Sequence, residues 1–180
     1  VTILSGNISV LAAATNNIIM TIASIAFMIP LSIASAVAVK IGHAYGENDP
    51  KKIKVYAKAA VIIALSFSLF SISFLLIFPG PLMALISPDP EVIALGVKLL
   101  FIVAIFQVSD SFQVVLTGVL RGLQQTKVTS ILVFIGYWIL GIPIGYYLSF
   151  NREFGVHGLW IGLAISLSLV AFFLSMLTVY

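Results

Sequence analysis

The stretch Phe101-Ile-Val-Ala-Ile-Phe-Gln-Val-Ser-Asp110-Ser-Phe-Gln-Val-Val-Leu-Thr-Gly118 decides how this chain is read, because Asp110 is the one acidic residue inside a long apolar segment. A charged side chain near a bilayer centre costs about 2.5–3.5 kcal/mol on insertion scales, so it persists where it faces a protein interior or a water-filled path. Asp110 is therefore a functional-site candidate by default. On a helix, residues three and four apart share a face. That spacing places Phe106, Gln107, Gln113 and Val114 beside Asp110, with Thr117 one turn further, as a polar stripe on an apolar rod. With a helix over about 91–120, Asp110 lies roughly 6 Å from the midpoint at 1.5 Å per residue. Arg121 shares nearly the same face but is about 16 Å along the axis, and Lys98 is about 18 Å in the other direction. Neither neutralises Asp110 within its own helix.

Three fates are open to such a group. It stays protonated, since removal from water penalises the charged form. Or it holds a hard cation such as Na⁺, with Gln107, Gln113 and Thr117 supplying neutral oxygens. Or it pairs with a basic residue of another span, for which Lys98 is the one basic residue within the apolar segments. Lys98 can snorkel outward instead.

Composition sets the surroundings. Of 180 residues, 61% are hydrophobic and 8% charged, and the mean hydropathy is +1.20, whereas a soluble domain carries about 25% charged residues. The chain is expected to be an all-α, polytopic transmembrane helix bundle. A span needs about 20 apolar residues. Uncharged runs cover Val1–Val39, Ala59–Pro88, Val128–Asn151 and Gly158–Tyr180, and Val92–Leu120 is broken only by Lys98 and Asp110. These predict five complete spans, at about 11–41, 59–78, 91–120, 128–150 and 158–180, plus a helix tail at 1–5 set off by the turn-like Ser5-Gly-Asn-Ile-Ser9. The net charge of +3 would suit nucleic acid, but the basic residues sit mostly in short connections, as a positive-inside bias requires. No nucleic-acid partner is expected. The partner is the lipid bilayer. Without cysteine there is no thiolate metal site and no thiol nucleophile. The start lacks Met and a cleavable signal, and the chain reads as a piece of something longer.

Orientation follows from the connections. The basic loop 42–58, carrying Lys51, Lys52, Lys54 and Lys58, is expected in the cytoplasm; the connection around Pro79-Gly80-Pro81 and Pro88-Asp-Pro-Glu91 has no Lys or Arg and belongs outside. His43 in that basic loop reads as incidental. His157 and Trp160 then fall at the outer interface, in an aromatic belt. Pro30 and Pro143 lie inside spans, where a proline removes a backbone hydrogen bond and kinks the helix. Each is a candidate hinge, with packing geometry as the alternative. Gly118/Gly122, Gly141/Gly145 and Gly158/Gly162 repeat the small-xxx-small spacing that lets membrane helices approach closely.

With these residues in view, Phe106-Gln-Val-Ser-Asp110-Ser-Phe-Gln-Val-Val-Leu-Thr-Gly-Val-Leu-Arg-Gly122 resembles the multidrug and toxic compound extrusion (MATE) transporters, in their NorM-like branch. Phe27-Met-Ile-Pro-Leu-Ser-Ile-Ala-Ser-Ala-Val-Ala-Val-Lys-Ile-Gly-His-Ala-Tyr-Gly-Glu47 is similar to the family's eighth helix and the loop after it. Gly136-Tyr-Trp-Ile-Leu-Gly-Ile-Pro-Ile-Gly-Tyr146 and Gly155-Val-His-Gly-Leu-Trp-Ile-Gly162 look like its eleventh helix and the start of the twelfth. The resemblance implies a two-lobed, twelve-helix antiporter of the bacterial inner membrane that exports cationic organic compounds against Na⁺ or H⁺, with no other cofactor. It implies that Asp110 belongs to the cation site of the C-terminal lobe. This chain would supply that lobe without its first helix and without the N-terminal lobe. At the position four before the acid, where the branch often has tyrosine, stands Phe106, which leaves the coupling ion open. Phe106, Phe112, Tyr137 and Trp138 are candidate walls for aromatic cations, with lipid contact or lobe packing as the alternative.

Three rival readings remain. A lipid-linked precursor flippase of the same superfamily would want buried cationic residues for phosphates. An intramembrane enzyme needs paired polar groups in the bilayer, and Asp110 has no second acid or histidine to work with. A structural membrane subunit would use the polar stripe to seal against another chain.

Overall fold

The computed structural model describes residues 9–151 and 154–179, all in helices and short turns; the helix tail expected at 1–5 lies outside them. The first helix, α1 (Val10–Gly46), starts where Ser9 stands in extended backbone and its Oγ accepts from the Ala12 N–H at 3.0 Å, satisfying one of the donors that a helix start leaves free. It runs unbroken past Pro30, which is buried. Asn48, at φ 53°, turns the chain. Then α2 (Pro50–Ile77) begins with Pro50 in its first turn and with Asp49 accepting from the N–H groups of Lys51 and Lys52. The stretch 42–58, expected as a loop, is thus helical except at 47–49. The cap at Asp49 and the ready-set φ of Pro50 carry the helix about two turns beyond the apolar run.

A short helix, α3 (Pro79–Ala84), follows, and it sets Met83 under Gly96 of the next span. That span is α4 (Pro90–Gly122), opened by Asp89 accepting from Glu91 N–H at 2.9 Å. The fourth span, α5 (Thr126–Asn151), is α-helical over Thr126–Phe134 and Ile142–Tyr146 and wound as a π-helix over Ile135–Gly141 and Tyr147–Asn151. The Ile142 N–H donates to the Tyr137 carbonyl, five residues back. Such wide turns flank Pro143 on both sides. The last helix is α6 (Val156–Val179).

Five of these helices are long and apolar enough to cross a membrane. Their outward faces carry large apolar side chains, among them Ile25, Phe70, Ile105 and Phe172, a surface that water would not tolerate over such an area and that lipid covers. The protein is a multi-pass membrane protein. Because lipid removes the hydrophobic drive between helices, close backbone approach has to supply the packing. At the α1–α4 seam a Cβ on Gly118 would run into the Ala34 backbone, and one on Gly122 would come within 2.8 Å of the Ala38 carbonyl. Gly145 and Gly162 meet backbone to backbone between α5 and α6. Many hydroxyls, such as Ser68 Oγ to the Ala64 carbonyl at 2.8 Å, donate to their own helix.

The hub is α4, which touches every other helix. Toward its first half, Leu99, Leu100 and Val103 bury against Ile19 of α1, Met83 and Trp160. Toward its end, Val115 and Val119 pack on Ala34 and Ala60 of α1 and α2, while Leu116 and Leu120 pack on Val170 and Leu174 of α6.

Candidate functional site

Asp110 lies deep in the bundle, 7% exposed. Its helix turns Gly118 and Gly122 to α1 and Thr117 and Arg121 to Thr126, Thr129 and Ser130 of α5. At about 100° per residue, Asp110 falls in the same direction as Thr117 and Arg121, on the side of α4 that faces α5 and roughly 80–120° around from the glycine seam with α1. Neither basic candidate reaches it. Lys98 and Arg121 are both exposed, and among the described residues the ion pairs involve only Lys52, with Glu47 at 2.6 Å and Asp49 at 3.8 Å. No described residue hydrogen-bonds the carboxylate.

The residues predicted to share its face divide into two groups. On one side, Gln113 and Thr117 bond to each other: Thr117 Oγ1 donates to the Gln113 backbone carbonyl at 2.9 Å, and Gln113 Nε2 lies 3.5 Å from Thr117 Oγ1. Below them a small cavity lined by Thr117, Arg121, Thr129 and Ser130 continues the polar stripe toward the basic end. On the other side, Gln107 is 1% exposed, with Nε2 and Oε1 both buried and without a partner among the described residues. Ser111, fully buried one turn on, has an equally unpartnered Oγ. Buried polar atoms are nearly always hydrogen-bonded. Three orphaned atoms one turn apart, next to an unpaired carboxylate, are oxygens and an amide available to a ligand.

Of the four aromatic candidates, Tyr137 is half-buried on α5, the helix that flanks the Asp110 face of α4. Phe106 shares the Asp110 face but packs edge-on against Trp160, with ring centroids 5.3 Å apart. Phe112 points to the far side of α4, into a groove with α2 and α6. Trp138, 63% exposed, stacks on Phe134 at the outside of the bundle. Trp160 departs from the expected interfacial belt. It is buried, and its Nε1–H donates to Asn16 Oδ1 of α1 at 3.2 Å, since an indole carries a donor that hydrocarbon cannot satisfy.

Sequence reasoning missed Ser111 and Asn16. Ser111 follows Asp110 directly and so lies off its face, which hid its link to Gln107 at the helical i, i+4 spacing. Asn16 had a visible signal, an amide within an apolar run.

A family model described as MatE matches residues 1–147. The chain belongs to the MatE family. Among curated proteins, this MatE chain is 36% identical over 172 residues to the multidrug resistance protein PmpM of Pseudomonas aeruginosa, covering 93% of this chain and 36% of that protein. It is 35% identical over 167 residues to the multidrug resistance protein NorM of Photobacterium profundum, covering 91% and 37%. Among solved structures, the eukaryotic MATE transporter AtDTX14 superposes with a TM-score of 0.89 at 21% identity, covering 94% of this chain and 38% of that one. The MatE chain thus spans little more than a third of the length of the curated relatives it matches.

Proposed function

We propose that this chain is the C-terminal lobe, without its first helix, of a cation-coupled antiporter that exports cationic organic compounds, and that Asp110 is the group ion and cargo occupy in turn. The observation that carries this is a buried carboxylate with no basic partner, set beside Gln107 and Ser111, whose polar atoms are also unsatisfied. A charge kept in such surroundings is costly, and a function that needs it empty, then filled, accounts for its retention. Na⁺ or a proton is the coupling species. Gln107 Oε1 and Ser111 Oγ supply the neutral oxygens that a hard cation prefers, together with Gln113 Oε1, which the bonds between Gln113 and Thr117 leave unengaged. The names of PmpM and NorM as multidrug resistance proteins support cargo of the drug class.

The working cycle requires that ion and cargo each bind the inward-facing and outward-facing states with different affinity, since a ligand that binds both equally shifts nothing. The N-terminal lobe completes the cavity on the α1–α5 side of Asp110. Pro143, between two π-wound segments, is the better hinge of the two prolines; Pro30 sits in continuous helix. Lys40, Lys51, Lys52, Lys54, Lys58, Arg121 and Lys127 gather at one end of the bundle, which the positive-inside bias assigns to the cytoplasm of a bacterial inner membrane.

Asp110→Asn in the full-length protein tests the reading. It preserves shape and hydrogen-bonding capacity while removing the charge. Drug efflux from proteoliposomes driven by a Na⁺ or H⁺ gradient is expected to be lost with membrane insertion intact, and the gradient that drives the wild type names the ion. Undiminished coupled efflux by the variant refutes the role given to Asp110.

A further inference from the structure

At the basic end of the bundle, on the side of α4 turned away from Asp110, α2, α4 and α6 enclose a groove of about 540 Å³. We propose that it holds an anionic phospholipid, with the phosphate between Lys54 and Lys58 and an acyl chain lying along Val61, Ile62, Phe112 and Leu116. Lys54 and Lys58 stand one helical turn apart on the same face of α2 and both border the groove. Both are exposed, and among the described residues neither pairs with an acid. Below them the lining becomes apolar, as the depth of a bilayer requires.

The far wall contributes Ser175 and Thr178 of α6. Their hydroxyls donate to the carbonyls of Phe172 and Ser175 at 2.7 and 2.8 Å. What they have left is lone pairs, which repel a phosphate and accept from a headgroup hydroxyl. Glycerol esters of phosphate present both a charge for the lysines and hydroxyls for this wall. The occupant is a lipid rather than a protein segment because Phe112 and Leu116 lie roughly 120–160° around α4 from Asp110 at 100° per residue; a lobe that covers Asp110 leaves this face to the bilayer. The assignment rests on the proposed orientation, since the anionic leaflet surface that attracts such lysines is the cytoplasmic one.

The test uses the full-length protein in phosphatidylcholine vesicles, with spin-labelled phosphatidylglycerol or spin-labelled phosphatidylcholine as probe and the motionally restricted fraction as readout. The wild type is expected to prefer phosphatidylglycerol, and Lys54→Gln with Lys58→Gln to lower that association by about 25-fold, from roughly fivefold per lysine near an anionic headgroup. Lys51→Gln with Lys52→Gln removes the same charge from the same helix outside the groove and is expected to change little. Ile62→Trp, at an exposed position, should obstruct the chain channel and lower association with the lysines intact. Equal losses in the two lysine pairs would reduce the effect to general surface attraction and overturn the proposal. So would displacement of the lipid by inorganic phosphate, or undiminished association in Ile62→Trp. Because the readout is lipid association, Asp110→Asn should leave it unchanged, which separates failure here from failure of the transport reading.

Discussion

Replacing Gln107 by Met and Ser111 by Ala should make the full-length protein more stable and a poorer exporter at once. Gln107 leaves two polar atoms unsatisfied and Ser111 one, and each buried, unpaired group costs about 1–3 kcal/mol in mutational series. Met fills the volume of Gln without polar atoms and adapts to irregular gaps; Ala deletes a hydroxyl from a fully buried site. The expected gain is about 1–3 kcal/mol for each single substitution, the low end applying where a water already enters. It is measured by reversible unfolding in mixed detergent micelles, with drug efflux from proteoliposomes in parallel. A site held ready for a ligand predicts opposite signs for the two readouts, the usual trade between stability and activity. Destabilisation by Gln107→Met would mean that the amide has a partner in the folded protein, and the argument that these atoms await an ion would fail.

Two further substitutions probe the frame around the site. The buried Trp160–Asn16 hydrogen bond ties α6 to α1, and a double-mutant cycle of Trp160→Phe with Asn16→Leu should give a coupling of about 0.6–1.7 kcal/mol, as for hydrogen bonds between membrane helices; zero coupling would deny that the contact exists in the membrane. Gly118→Ala drives a methyl into the Ala34 backbone and should cost about 1–3 kcal/mol in thermal or detergent unfolding. Gly46→Ala, with nothing within 4 Å of the new Cβ, should be stabilising by about 0.4–1 kcal/mol.

What the sequence made legible were features that one helix carries alone. The apolar runs predicted the spans, the Pro88-Asp-Pro-Glu91 signature marked the start of α4, and the glycine spacing anticipated the tight seams at Gly118 and Gly122. Asp110 was conspicuous because a charge in an apolar run has no neutral explanation. What escaped were matters decided between helices. Gln113 and Thr117 resemble Gln107 in any linear reading, yet they bond to each other while Gln107 and Ser111 are buried with no partner among the described residues. Trp160 has the composition of an interfacial residue, and only the position of Asn16 on α1 shows why it is inside. The π-wound segments around Pro143 are legible in part, since proline disturbs the hydrogen-bond ladder, but which turns widen depends on how Gly136, Gly141 and Gly145 fit against α6.

If access to Asp110 alternates as proposed, the faces of α4 constrain how it can do so. At 100° per residue, Asp110 stands roughly 80–120° around the helix from Gly118 and Gly122, which meet the backbone of Ala34 and Ala38. A twist of α4 large enough to carry the carboxylate from one side of the membrane path to the other would push those glycines off the seam and bring Val115 and Val119 with their branched side chains into a gap sized for hydrogen. Alternation therefore has to move α5 and the rest of the protein around an α1–α4 pair that stays together, and the non-α winding of α5, against the unbroken helices of α1 and α4, locates the compliance on that side. Spin labels at Ser35 of α1 and Arg121 of α4, both exposed, should keep one separation whether the full-length protein is loaded with ion or with drug, while a label at Ser130 of α5 should move relative to both. A change in the Ser35–Arg121 separation between the two conditions would show that the seam opens, and the rigid-pair argument would have to be abandoned.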